Sequence, residues 1–167
     1  FRVKKRNFVV IIVIIFFSLF GLLFLSSRYM LNSYHSSYFD VDFEKKWKVV
    51  NKGHNYLILE KEKDVIQIVY HSLSDYEFDS KDDLYFSLHK KFLESNPEYR
   101  LINSSSSIVG AEYDKGYQYL FESDADNSML IVCIKKDKVI EVSYTSEIQS
   151  FDFGLEDFYD VSNTLRF

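Results

Sequence analysis

The sequence predicts an α+β fold: an N-terminal transmembrane helix, then a mainly antiparallel sheet flanked by two helices. Three observations carry this expectation. Phe8–Leu25 is a run of eighteen residues without a charge, preceded by a basic stub. Beyond residue 39 apolar and polar residues repeatedly alternate, the period of half-buried strands. Only two stretches, 81–95 and 152–165, switch to the three-and-four spacing of a helix. Helices that rare do not separate every pair of strands, which excludes a doubly wound parallel sheet. The expected order after the anchor is β-β-β-α-β-β-β-β-α.

The anchor comes first. FVVIIVIIFFSLFGLLFL, interrupted only by Ser18 and Gly21, is apolar all round, whereas a water-facing helix needs a polar side. As a helix it reaches about 27 Å, close to the hydrocarbon thickness of a bilayer. Cleavage as a signal peptide is the alternative. The run exceeds the usual apolar stretch of such peptides, and Ser26-Ser27 follows Leu25 rather than another small residue. Arg2, Lys4, Lys5 and Arg6 precede the run and only Arg28 follows closely, so the amino end is expected in the cytoplasm and the body outside it. Opening on Phe1, the chain is expected to have lost its initiator Met. The expected organisation is a stub and transmembrane helix over 1–28, a Ser- and Tyr-rich tether over 29–38, and an extracytoplasmic domain over 39–167.

Charge divides at the same place. The 167 residues hold 20 Lys+Arg and 25 Asp+Glu, a net of −5. Phe1–Met30 contains five basic residues and no acid, which leaves 15 basic and 25 acidic residues, a net of −10, in the remainder. An acidic body repels phosphates, so nucleic acid is not an expected partner. With 47% hydrophobic and 18% aromatic residues the body is not a disordered chain. Two Ala, five Gly and one Pro beside many Phe, Tyr, Ile, Lys, Asn and Ser match AT-rich coding, so much of the aromatic content stands in for Leu and Val in the core.

Along the body, Phe39, Val41 and Phe43 alternate with acids and define the first strand. Trp47 and Val49 alternate with Lys46 and Lys48 and continue it after a bend. Tyr56–Glu60 and Val65–Tyr70, separated by Lys61-Glu62-Lys63-Asp64, form a hairpin. Ser80, with an acid three residues on at Asp83, caps a helix over about 81–95. Its stripe is Leu84, Leu88 and Phe92, joined by Tyr85 and Leu93, and Pro97 stops it. Strands follow near Tyr99–Ile102, Tyr117–Glu122, Met129–Ile134 and Val139–Tyr144, the last two joined by a tight turn at Lys135–Lys138. Ser104–Ser107 reads as a flexible or edge-strand polar run. Phe151, Leu155, Phe158, Ser162 and Leu165 share one stripe of a terminal helix.

Candidate chemistry is sparse. His35, His54, His71 and His89 form no HxH or HxxxH pair, so no metal site is expected. His89 is expected at a solvent position; His71 ends a strand ahead of Asp75, Glu77 and Asp79 and could meet them in space, but that acidic loop reads first as a solvated connection. Asp124–Ser128 begins like a calcium loop but has Met129 and Lys135 where Gly and Glu belong, and reads as a hairpin turn. No GxSxG or phosphate-cradling glycine pattern occurs. Cys133, the single cysteine, lies in an apolar strand and is expected to be buried and inert. No cofactor and no catalytic residue are expected. Trp47 is the one body residue singled out, as a structural anchor or a partner anchor.

The opening Phe39-Asp-Val-Asp-Phe43 leading to Trp47 resembles the PsbP-like fold, which also includes the Mog-type Ran-binding proteins and several bacterial lipoproteins. So do Tyr117–Phe121, Val139–Thr145 and the closing Phe158–Phe167. The resemblance covers about 39–167. It implies a non-catalytic partner-binding or accessory domain and carries over no functional residue. Together these readings point to a single-pass accessory domain in the envelope of an AT-rich, Gram-positive bacterium, contacting the bilayer through 8–25 and binding a protein or envelope component. An envelope-associated hydrolase and an immunity-type inhibitor of a basic toxin are the alternatives.

Overall fold

The computed structural model of the chain describes residues 31–112 and 114–167. The apolar run and the basic stub fall outside the described residues. Among the described residues no helix is long and apolar enough to cross a membrane. The chain forms β1 (Leu31–His35), β2 (Asp40–Glu44), β3 (Lys48–Lys52), β4 (Tyr56–Lys61) and β5 (Asp64–Ser72), then helix α1 (Lys81–Ser95). β6 (Arg100–Val109), β7 (Asp114–Glu122), β8 (Asp126–Lys135) and β9 (Lys138–Glu147) follow, and helix α2 (Phe151–Asn163) closes it. β3 to β9 build one seven-stranded sheet in the order β3-β4-β5-β9-β8-β7-β6, with every neighbouring pair antiparallel. The α+β class, the antiparallel sheet and both helices are as the sequence predicts.

The sheet is covered on both faces because its centre is apolar on both. In β8, Met129, Ile131 and Cys133 belong to one core, with Phe151, Phe158 and Val161 of α2. Leu130, Val132 and Ile134 belong to the other, with Leu84, Tyr85 and Leu88 of α1. The helix ends follow local chemistry. Ser80 Oγ accepts from the Asp83 amide at 3.2 Å and opens α1. Asn96 Nδ2 donates to the Phe92 carbonyl at 2.8 Å, and Pro97 then forbids another turn. α2 lies close against β9, where Tyr144 stacks between Phe151 and Phe158 at 5.2 and 5.4 Å. That approach needs Gly154: a Cβ there would collide with Tyr144 Oη.

Three strands differ from the sequence reading. Residues 31–35, read as tether, pair with β2 as a separate two-stranded ribbon. The ribbon lies over the α2 side through Phe39, Val41 and Phe43. Asp40 and Arg166 exchange backbone hydrogen bonds at 2.9 and 3.0 Å and tie it to the carboxyl end. Trp47 does not sit in a continuing strand. It lies on the turn after β2, with its amide donating to the Glu44 carbonyl at 3.0 Å, and β3 begins only at Lys48. β3 is the sheet's outer strand with a bulge between Val49 and Asn51, which leaves Val49 42% exposed instead of inward. The strand expected near 99–102 runs on through the serine run, in line with its edge-strand reading: β6 is one ten-residue strand paired with β7 throughout, apart from a bulge between Leu101 and Asn103.

Trp47, 2% exposed, is the largest fully buried side chain among the described residues. Trp47→Ala should therefore cost about 3–5 kcal/mol of stability, measured by urea denaturation. Unchanged stability with loss of a bound partner would contradict its place in the core.

Candidate functional site

Beside Trp47 a cleft of about 230 Å³ opens between β2 and α2, lined by Leu31, Phe43, Lys46, Asp157 and Val161. It is smaller than the roughly 300–1,000 Å³ of a ligand pocket. Its polar wall is a chain of paired charges. Asp157 on α2 takes Lys46 Nζ on one carboxylate oxygen at 2.6 Å and Lys61 Nζ on the other at 2.7 Å. Lys46 also reaches Glu44 at 3.0 Å, and Lys61 reaches Asp64 at 3.3 Å. Asp64 in turn accepts from Ser146 Oγ at 2.6 Å. Lys61 Nζ also stands 5.2 Å from the Trp47 ring centroid, a cation–π distance. The network clamps the β2 turn, the β4–β5 hairpin, β9 and α2 together.

Burial alone would raise the Asp157 pKa, but the hydrogen bonds and charges of Lys46 and Lys61 outweigh it and hold the carboxyl below the usual range. Burial likewise works against the charge of both lysines, and Asp157 overcomes it, so both titrate above the ordinary lysine range. A general acid or base works best with a pKa near the operating pH. These three groups are driven away from it in opposite directions, so the arrangement holds charge in place.

The other sequence-designated groups are scattered. Cys133 is fully buried, and burial pushes its thiol up to about 12, as expected of an inert residue. His71 does not meet Asp75, Glu77 or Asp79: its Nε2 lies 3.1 Å from Glu141 across the sheet, and Asp75 instead accepts from the Ser72 amide at 3.1 Å. His89 is not a solvent residue. It is half-buried, stacked on Tyr119 at 4.8 Å and edge-on to Phe86 at 4.9 Å, because its place on α1 overlies the aromatic face of β7. His35 pairs with Asp40 at 3.1 Å, and His54 is exposed. The hairpin turn between β7 and β8 takes residues 123–125, with Ser123 Oγ accepting from the Asp126 amide at 3.0 Å, and Asp126–Ser128 already pair in β8. Among the described residues no group of three or more His, Cys, Asp and Glu is placed to hold a metal. Arg2, Lys4, Lys5 and Arg6 lie outside the described residues.

Sequence reasoning did not find Asp157, Lys46 and Lys61. Lys46 and Lys61 stand 111 and 96 positions from Asp157, and no local pattern connects them.

No family model and no curated protein sequence matches the chain. Solved structures do. The solution structure of cyanobacterial PsbP (CyanoP) from Synechocystis superposes with a TM-score of 0.60 at 11% identity, covering 81% of this chain and 91% of that one. The Ran-binding protein Mog1p of Saccharomyces cerevisiae gives a TM-score of 0.50 at 6% identity, covering 77% and 84%. The chain thus has the PsbP/Mog1-like α+β fold.

The Asp157 pKa is depressed in the folded state, so its stabilisation is complete above the ordinary aspartate range and is lost as pH falls through the folded value. Asp157→Asn should be less stable than the parent chain at about pH 7, and the difference should shrink at about pH 3, read from urea midpoints. A difference independent of pH would show that the carboxylate charge is not what holds the clamp.

Proposed function

We propose that the chain is a membrane-anchored accessory domain, held outside the cytoplasm, that acts by binding a protein and not by catalysis. The observation that carries this reading is the uncharged Phe8–Leu25 run, ending six residues before the first described strand. Its length supports a single span and its basic flank supports an inside amino end. On this reading the folded body begins close to the membrane surface, at the edge of the Trp47 cleft that Leu31 lines.

A binding role is supported by how the reactive groups are held. Asp157 is occupied on both carboxylate oxygens by lysines, and Cys133 carries a raised thiol pKa inside a core. One solved structure with this fold points the same way: Mog1p is a Ran-binding protein. The net charge of −10 beyond Met30 favours a partner with a basic surface over nucleic acid.

Fractionation of cells expressing the full chain should leave it with membranes after a high-salt wash. Protease added outside the cytoplasmic membrane should then remove the body. Release of the chain into the medium would mean that the segment is cleaved, and a body protected from external protease would overturn the orientation.

A further inference from the structure

The two edges of the seven-stranded sheet are finished differently. Both edges carry a bulge, but β3 has only five residues and carries Lys48 and Lys52 at its ends, devices that discourage pairing with another strand. β6 has ten residues and no charge or proline between Leu101 and Val109. Its outer side has no strand neighbour among the described residues. An edge of that kind is a template for another strand.

We infer that β6 pairs with β6 of a second copy of this chain, antiparallel about a two-fold axis through Ser105. The strand is its own complement about that point. Ser104 falls opposite Ser106 of the other copy and Asn103 opposite Ser107, all within the regular part of the strand beyond its bulge. A two-fold axis relating adjacent antiparallel strands must run normal to the sheet, so each face of one copy continues into the same face of the other. The register keeps faces matched: Ser104 and Ser106 pair with Tyr119 and Tyr117 of β7, residues two apart on one side of the sheet.

Five of the exposed large apolar side chains lie at this edge, while others lie elsewhere, Val49 and Val50 on β3 among them. Ile102 is 47% exposed and Ile108 55%, with exposed Leu101, Tyr117 and Phe86 nearby around the β6–α1 groove. One consequence rests on the anchoring reading. With the axis normal to the sheet, both α2 faces point the same way, and β1 lies on that face in each copy. Both chains then enter a single bilayer from one side. The pairing itself does not depend on that reading.

The test is the mass of the full chain purified in detergent, measured by sedimentation equilibrium, for the parent, Ser105→Lys, Ser105→Glu and an equimolar mixture of the two variants. Ser105 is exposed and bonded only to Gln118 Nε2 at 3.0 Å, so each variant should keep the parent's unfolding midpoint. The parent should be a dimer. Each variant alone places like charges directly opposite and should dimerise at least about fivefold more weakly, while the mixture should recover the dimer. A monomeric parent overturns the proposal. So does a dimer equally tight in both variants, which would be held through another surface such as residues 8–25, and so does a mixture no tighter than either variant alone. Because the masses are read after extraction, they do not depend on whether that segment anchors the chain.

Discussion

Burial of β8 on both faces is the constraint from which the rest of the architecture follows. Six successive apolar residues, Met129–Ile134, send alternate side chains to opposite sides of the sheet, and all six are buried. Each such side chain gains about 1.5–3 kcal/mol from leaving water, so neither face of the strand tolerates solvent. One face requires α2 and the other α1. The neighbouring strands then take the pattern their distance from the helices allows. Ile140, Val142 and Tyr144 of β9 join the α2 core, and Val139 joins the α1 core. Farther from α1, the same side of the sheet carries Glu141, Ser143, Thr145 and Gln67, because α1 packs over β7 and β8 and, among the described residues, no α-helix covers them.

Electrostatics works at the periphery of this scheme. With 25 acids against 15 bases after Met30, the body repels itself, and its lysines are placed where that repulsion would otherwise separate elements. Lys46 and Lys61 converge on Asp157 at the junction of the β2 turn, the β4–β5 hairpin and α2. Trp47 lies beneath the same junction, so the largest buried ring and the main ion-pair chain stabilise one corner together. Leu31, the first described residue, lines the cleft at that corner.

What could be read from the sequence was whatever local chemistry determines. α1 runs from Lys81 to Ser95 as its Ser80 cap, its four-residue spacing and Pro97 require. The β8–β9 turn at Lys136-Asp137 and the burial of Cys133 likewise depend on adjacent residues. β1, β3 and β6 were harder because they sit at edges, where pairing and not burial makes the strand. LNSYH, KVVNK and the serine-rich β6 show almost no inward alternation. Asp157 and its lysines were invisible for the opposite reason: their meaning comes wholly from distant partners. His89 was misread because its neighbours Phe86, Lys90 and Lys91 are exposed, whereas the ring it stacks on belongs to β7.

Native-state hydrogen exchange on the backbone amides tests the two-faced burial of β8 most directly. If both cores rest on that strand, the amides of Met129–Ile134 exchange only through global unfolding, with an opening free energy equal to that from urea denaturation. Those of β3, covered by a neighbour on one edge alone, exchange through smaller local openings. Exchange in Met129–Ile134 as fast as in Lys48–Lys52 would contradict the account.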